Sequence, residues 1–222
     1  MITIGHRGAA GYEPENTILS FNKALELGVD MIELDIQLCK SGEFVVIHDF
    51  NLDRTTNGSG LVVNKTLTEL KKLDAGKRQE ISSLEESLKT INRKTKVNIE
   101  LKSKSGTQQL SNTINHFIEN ENWQSDDFII SSFNHEELVM FNRLMPQIKI
   151  GVLYEDIPND FNETASALNA YSINVEFYFL TEKIVKQIHK LAYKVYAYTV
   201  NSNKDKLKMK EIGVDGIFTD FP

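Results

Sequence analysis

Short runs rich in β-branched and aromatic residues alternate with longer amphipathic segments along nearly the whole chain. This alternation is typical of parallel α/β proteins, in which a helix follows each strand and crosses back over the sheet. The pattern predicts eight strands, which are Ile2–Gly5, Met31–Gln37, Val97–Leu101, Phe128–Ser131, Ile148–Leu153, Ser172–Val175, Lys194–Val200 and Gly216–Thr219.

The segments between these strands carry the start and stop signals of helices. A helix is predicted at Asn16–Leu27, with apolar residues on one face, and Gly28 after it suits the C′ position. A second predicted helix, Thr181–Leu191, begins with a residue that favours the N-cap. Asn134 precedes an acidic first turn, so we expect another helix to begin there.

Eight strands with helical crossovers in 222 residues predict a (β/α)8 TIM barrel. An open doubly wound sheet would give a similar alternation, so the pattern alone leaves both architectures open. No low-complexity tract or Pro/Gly-rich linker divides the chain. We therefore expect a single domain over residues 1–222.

A ninth β-like run, Phe44–His48, follows the second strand too closely for a helical crossover, so it must return antiparallel as a β-hairpin. With Ser41-Gly42 as a two-residue turn, Asp35 lies directly opposite His48. Glu33 shares the face of Asp35 because side chains alternate along a strand. The hairpin therefore brings three titratable side chains together.

Charged and imidazole side chains gather where a barrel holds its reactive groups, at the carboxyl ends of the strands. These residues are His6, Arg7, Glu33, Asp35, His48, Glu100 and Lys102. Inward carboxylates are costly unless something neutralises them. Three oxygen donors without a cysteine ligand suit one hard divalent cation, Mg²⁺ or Ca²⁺. Salt bridges from Arg7 and Lys102 in a purely structural network are the alternative.

Composition narrows the class of protein. The chain has 25 basic and 31 acidic residues, a formal net charge of −6, which disfavours nucleic acid as a partner. No apolar run is long enough for a membrane span and no secretory leader precedes the first strand, so no stable membrane insertion is expected. One cysteine, Cys39, fits a reducing compartment. A cytoplasmic protein is expected.

An ordered set of motifs between residues 5 and 222 resembles the glycerophosphodiester phosphodiesterase family. The motifs include His6-Arg7-Gly8, Pro14-Glu15-Asn16-Thr17, Glu33-Leu34-Asp35, His48-Asp49, Ile99-Glu100-Leu101-Lys102, Tyr198-Thr199-Val200-Asn201 and Thr219-Asp220. The resemblance implies a (β/α)8 barrel, one divalent cation, and cleavage of small-molecule glycerophosphodiesters to sn-glycerol 3-phosphate and an alcohol. It also implies a small insertion at about residues 50–83 over the C-terminal face, with a predicted helix at Thr66–Leu73.

The resemblance also implies a role for each site residue, carried over position by position. His6 and His48 would be the general acid and base, and Arg7 and Lys102 would contact the phosphate. Tyr198 stands where the family often has tryptophan, at the wall near the glycerol. The metal ligands would be Glu33, Asp35 and Glu100.

Several points stay open at the level of the sequence. The nucleophile is water or the glycerol 2-hydroxyl, and either histidine could be the base. A related barrel phospholipase or lyase that acts on phospholipids or lysophospholipids is one alternative activity. A non-catalytic metal-binding barrel is another, because a fold alone never proves activity.

Overall fold

The computed structural model describes residues 1–222, and all the predicted strands form in it. Their bounds are β1 (Ile2–Gly5), β2 (Met31–Leu38), β3 (Phe44–Val46), β4 (Lys96–Leu101), β5 (Phe128–Ser132), β6 (Lys149–Tyr154), β7 (Ser172–Glu176), β8 (Lys194–Tyr198) and β9 (Gly216–Thr219). Eight of them are parallel neighbours in the order β1-β9-β8-β7-β6-β5-β4-β2, and β1 also pairs with β2. This last pairing closes the sheet, which excludes the open alternative and confirms the TIM barrel.

Helices surround the barrel between successive strands. They are α1 (Ile18–Glu26), α2 (Leu67–Leu70), α3 (Leu84–Ile91), α4 (Thr107–Asn120), α5 (His135–Leu144), α6 (Phe161–Ala167), α7 (Glu182–Lys190) and α8 (Asn203–Glu211). Their apolar faces and the outward faces of the strands form a continuous core of 44 buried residues. None of the helices is both long enough and apolar enough to cross a membrane.

The predicted helix boundaries are close to the observed ones, and the side-chain caps explain the differences. Thr181 caps α7 and Asn134 caps α5, as predicted. The first helix starts at Ile18 rather than Asn16 because Thr17 is its N-cap. The predicted helix at Thr66–Leu73 is only the single turn α2, with Thr66 in a capping box.

The interior of the barrel is layered, apolar below and polar above. Side chains near the amino ends of the strands form a separate cluster, whose buried members are Ile4, Met31, Ile129, Tyr196 and Phe218. This cluster fills the bottom of the barrel, as side-chain layers do in this fold. Polar side chains thus occupy the part of the interior near the carboxyl ends of the strands, where a functional site can form.

The segment between β3 and α3 builds a small core of its own. Its buried members, together with the hairpin residues that they contact, are Cys39, Val45, Ile47, Leu52, Val62, Leu70 and Ile81. Burial of this cluster fixes the segment against the β2–β3 hairpin. The chain that follows His48 is thus held by packing, although it contains little regular structure.

The predicted register of the β2–β3 hairpin is wrong by one residue. The Ile47 N–H donates to the Asp35 carbonyl at 3.0 Å, so Asp35 opposes Ile47 and not His48. The cause is a three-residue loop instead of the expected two-residue turn, because the Cys39 N–H donates to the Glu43 carbonyl. Gly42 makes this loop possible with a φ of +94°, a left-handed conformation common at the third position of such hairpins.

Candidate active site

An acidic cluster lies inside the barrel at the carboxyl ends of β2 and β4. Asp35 is in direct register with Glu100 on the neighbouring strand, and Glu33 points inward two residues before Asp35. One carboxylate oxygen from each residue lies within 4.8 Å of the others. Glu33 and Asp35 are almost completely buried. The parallel register thus places three carboxylates where water cannot solvate them fully.

This cluster lacks enough positive charge of its own. Burial, and then the neighbouring carboxylates Asp35 and Glu100, raise the pKa of Glu33 well above its ordinary value. Burial and Asp35 also raise the pKa of Glu100. The buried Glu33 Oε1 has no hydrogen-bond partner. Three convergent oxygen donors, one of them unpartnered, fit a hard divalent cation.

Two basic side chains border the cluster and compensate it in part. Lys102 Nζ lies 2.8 Å from a Glu100 oxygen and 3.8 Å from an Asp35 oxygen. Arg7 Nε lies 3.4 Å from Asp35. Glu33 makes no ion pair with either residue, so the salt bridges of the structural alternative exist but leave one buried carboxylate without an ion-pair partner.

A sharp turn after β1 places Arg7 beside the cluster. Its backbone N–H donates to Glu33 Oε2 at 2.7 Å. Gly8 follows with a φ of +85°, and a Cβ there would lie only 2.3 Å from Ser20 Oγ on α1. A glycine is therefore needed at this turn, because helix α1 packs directly against it.

Each histidine of the site is anchored by a carboxylate. His6 Nδ1 lies 2.6 Å from Asp220 Oδ1, and His48 Nδ1 lies 2.6 Å from Asp49 Oδ1. An ionised carboxylate only accepts hydrogen bonds, so each Nδ1–H donates and Nε2 is the atom that can exchange a proton with a ligand. Burial lowers the pKa of His48 despite the opposing attraction of Asp35.

The two anchoring aspartates are themselves held by other side chains. Arg54 donates to both oxygens of Asp49, at 2.6 and 2.9 Å. Asn201 Nδ2 donates to Asp220 Oδ2 at 2.6 Å. The sequence interpretation did not assign roles to these residues. Asp49 could have been found from the sequence, because it directly follows His48 in the His-Asp motif. Asp220 could not, because it lies 214 positions from His6.

A cavity of about 640 Å³ opens above the cluster. Of the predicted site residues it is lined by His6, Arg7, Glu33, His48, Glu100, Lys102 and Tyr198, and Asp35 lies buried beneath them. The Tyr198 hydroxyl donates to the Tyr154 carbonyl at 2.8 Å, which fixes the ring at the cavity wall. The structure thus brings all eight predicted residues together, His48 included, although the hairpin register differs.

Fold and site together define a class, the (β/α)8 barrels whose strand ends carry an acidic, metal-competent cluster flanked by imidazoles and basic side chains. The model of the glycerophosphoryl diester phosphodiesterase family matches residues 6–222, and the chain belongs to that family.

Relatives and solved structures agree with this assignment. A glycerophosphodiester phosphodiesterase of Caldanaerobacter subterraneus subsp. tengcongensis is 40% identical over 230 residues, covering 100% of this chain and 94% of the relative. One from Bacillus altitudinis is 39% identical, with 98% and 93% covered. The structure of an Oleispira antarctica phosphodiesterase in complex with the product sn-glycerol-3-phosphate has a TM-score of 0.93 and 32% identity, with 100% of this chain and 94% of that chain covered.

Proposed function

We propose that this protein is a phosphoric diester hydrolase that cleaves glycerophosphodiesters to sn-glycerol 3-phosphate and an alcohol. The observation that carries the proposal is one cavity that is lined by Glu33 and Glu100 of the acidic cluster and by two histidines whose Nδ1 atoms are held by aspartates. Membership of the phosphodiesterase family, and the product bound in the Oleispira antarctica enzyme, support the reaction class.

The acidic cluster would hold one divalent cation, Mg²⁺ or Ca²⁺, through Glu33, Asp35 and Glu100. A bound cation of this kind supplies positive charge to a phosphoryl oxygen and lowers the pKa of a coordinated hydroxyl. The unpartnered Glu33 Oε1 supports this assignment, because a buried carboxylate oxygen without a partner is costly unless a ligand satisfies it.

Arg7 and Lys102 would bind the substrate phosphate. Both line the cavity and both lie within ion-pair distance of Asp35. Lys102 keeps its charge at neutral pH, since Glu100 and Asp35 raise its pKa although burial alone would lower it. Two fixed cations next to the acidic cluster neutralise charge that develops on phosphoryl oxygens during cleavage.

His6 and His48 would move the protons. One Nε2 accepts the proton of the attacking hydroxyl, and the other donates a proton to the leaving alcohol. The anchoring aspartates stabilise whichever imidazole becomes positively charged. This proton path serves water as nucleophile, and it serves equally an attack by the glycerol 2-hydroxyl. The ring of Tyr198 would form the wall against the glycerol.

Release of glycerol 3-phosphate from glycerophosphocholine tests the proposal, measured in Mg²⁺, in Ca²⁺ and in EDTA. We expect release that needs a divalent cation and falls about 10²–10⁴-fold in His48→Ala. His116→Ala is the matched control, because His116 is exposed on α4 outside the cavity. Cleavage of a long-chain lysophospholipid without cleavage of glycerophosphocholine would favour the lipid-cleaving alternative. Cation binding without any turnover would favour the non-catalytic one.

We also propose that residues 1–222 act as one cooperative domain in the cytoplasm, with residues 50–83 as an insertion beside the site. The insertion core is continuous with the hairpin, which supports joint unfolding. Cys39 is buried and donates to Glu43 at 3.3 Å as a free thiol, which suits a reducing compartment. A single calorimetric transition, and activity in the cytoplasmic fraction of cells, are the expected results.

A further inference from the structure

The cavity has a second wall that the proposed chemistry does not use. Glu155 directly follows β6 and Glu176 ends β7, and both line the cavity. In the closed barrel, β7 lies four strands from β2 in either direction. The Glu155–Glu176 wall therefore faces the acidic cluster and its two basic side chains from across the barrel mouth.

Neither carboxylate of this wall is compensated by the protein. No lysine, arginine or histidine nitrogen lies within 4.0 Å of Glu155 or Glu176, and neither side chain has a hydrogen-bond partner. Their strands are adjacent, with Tyr154 paired to Val175, so the two negative charges stand side by side. Such a pair attracts a cation from the ligand or the solvent.

Aromatic rings stand around the two carboxylates. Tyr178 is 72% exposed and its ring lies against Phe177, with centroids 4.0 Å apart. Phe133 meets Tyr198 edge to face at 6.1 Å. All four rings line the cavity. Ring faces beside carboxylates form the kind of surface that binds quaternary and primary ammonium groups.

Two buried amide side chains, one of them at the cavity lining, lack a full set of hydrogen-bond partners. Asn98 is 1% exposed and lines the cavity, and its Oδ1 has no hydrogen-bond partner. Asn174 does not line the cavity, but it lies two residues before Glu176 on the same face of β7, is fully buried, and has an unpartnered Nδ2. Unsatisfied buried amides of this kind need a partner that the protein itself does not supply.

We propose that the Glu155–Glu176 wall binds a positively charged headgroup, so the preferred substrates are zwitterionic glycerophosphodiesters that release a quaternary or primary amino alcohol. This inference rests on the proposed function. The charges match along the cavity: the anionic phosphate lies against Arg7 and Lys102, and the ammonium group reaches the opposite, purely acidic wall. A neutral polyol headgroup gains nothing from that charge or from the exposed ring of Tyr178.

The test compares kcat/KM for glycerophosphocholine and for glycerophosphoglycerol, whose headgroup is neutral. We expect the wild-type protein to favour glycerophosphocholine about tenfold. In the double variant Glu155→Gln and Glu176→Gln, that preference should fall to near one through loss of glycerophosphocholine turnover. Glutamine keeps the size and an acceptor oxygen, so only the charge is removed. Glu163→Gln on the exposed face of α6 is the matched control.

Two further measurements separate the charge from the rings. The preference should decline as ionic strength rises, because both carboxylates are within reach of solvent. Tyr178→Leu should weaken it about threefold, and Tyr178→Phe should retain it, since the ring face and not the hydroxyl contacts the cation.

Different failures have different meanings. A wild-type preference near one would overturn the inference while leaving the proposed function intact. Equal losses for both substrates in the double variant would also overturn it, because the two carboxylates would then hold the glycerol common to both. Absence of hydrolysis of every glycerophosphodiester, with a divalent cation present, would overturn the proposed function itself and this inference with it.

Discussion

The two histidines of the cavity depend on residues that never need to touch a substrate. Asp220 and Asp49 hold the Nδ1 atoms of His6 and His48 at 2.6 Å, which sets both the ring orientation and the tautomer. A neutral asparagine at either position could donate to Nδ1 instead of accepting from it. The imidazole would then present the wrong nitrogen, protonated, to the cavity.

Asp220→Asn should therefore lower kcat by about 10²-fold or more with little change in KM, because His6 would lose its fixed tautomer. The pH profile of kcat should also shift, which a merely structural role would not cause. Asp160→Asn is the control, since Asp160 precedes α6 without a side-chain cap hydrogen bond. An unchanged pH profile in Asp220→Asn would contradict the positioning role.

Glu33 is costly to the fold in the absence of a cation. Its pKa is raised by burial and by Asp35, so the folded state binds a proton more tightly than the unfolded state does. The stability that this group contributes is therefore present at low pH and is lost as the pH rises through the raised pKa. At neutral pH the buried charge therefore destabilises the metal-free protein.

Glu33→Gln should raise the free energy of unfolding of the metal-free protein at pH 7 by about 1–4 kcal/mol while abolishing phosphodiesterase activity. Glutamine can still accept the hydrogen bond from the Arg7 N–H. Thermal unfolding with and without Mg²⁺ or Ca²⁺ checks the prediction: the cation should raise the Tm of the wild type and not that of the variant. A lower stability for metal-free Glu33→Gln would show that the carboxylate is structural.

The β2–β3 hairpin is the element whose geometry departs furthest from the sequence prediction. Its loop has three residues and ends with Gly42 in the left-handed region. A Cβ at this position would meet nothing within 4 Å, so any cost of a side chain is conformational. The hairpin leads directly into His48, which makes its loop relevant to the site.

Gly42→Ala should lower the free energy of unfolding by about 1–2 kcal/mol, because an L-residue is strained in this backbone conformation. Gly42→Asn should cost less, since asparagine tolerates left-handed backbone. Denaturant unfolding of both variants checks the order. Equal stability of the alanine variant and the wild type would contradict a strained left-handed backbone at residue 42.

Strand and helix positions could be predicted because each depends on local pattern: alternation, caps and breakers within about ten residues. Seven of the eight site residues could be grouped because barrel strands present their reactive side chains at one end, whereas Tyr198 was assigned through the family resemblance. The hairpin register could not be predicted from the sequence pattern, because a two-residue turn at residues 41–42 and a three-residue loop at residues 40–42 fit the same sequence equally well. The pairing of His6 with Asp220 depends on barrel closure, and the Glu155–Glu176 wall depends on the register of β6 against β7, neither of which a local signal encodes.

In the whole molecule, the two ends of the barrel differ in the side chains that they carry. The carboxyl ends carry the cavity, and the amino ends carry paired charges around Asp215. Asp215 accepts hydrogen bonds from Lys194 Nζ and from the Val195 N–H, both at 2.9 Å. Burial alone would raise the pKa of Asp215, but these bonds outweigh it and lower the pKa.

Asp215→Asn should reduce the free energy of unfolding at pH 7 by about 1–3 kcal/mol and leave kcat unchanged. Because the pKa of Asp215 is lowered by folding, its contribution exists above the unfolded pKa and is lost as the pH falls through the folded one. The stability gap between wild type and variant should therefore narrow below about pH 4. Thermal unfolding across pH 2–7 measures it, and a gap that stays constant would exclude the charge as the cause.

The hydrogen bond between His6 and Asp220 also links activity to the order of folding. It joins the residue that follows the first strand of the barrel to the residue that follows the last strand, 214 positions apart. Forming a contact between residues so far apart in sequence costs conformational entropy, because a long loop must close. Such contacts therefore form late in folding. A refolding chain whose β1 and β9 have not yet met would lack a correctly held His6, whatever the state of its other strands. Catalysis would then recover only with the final closure of the barrel.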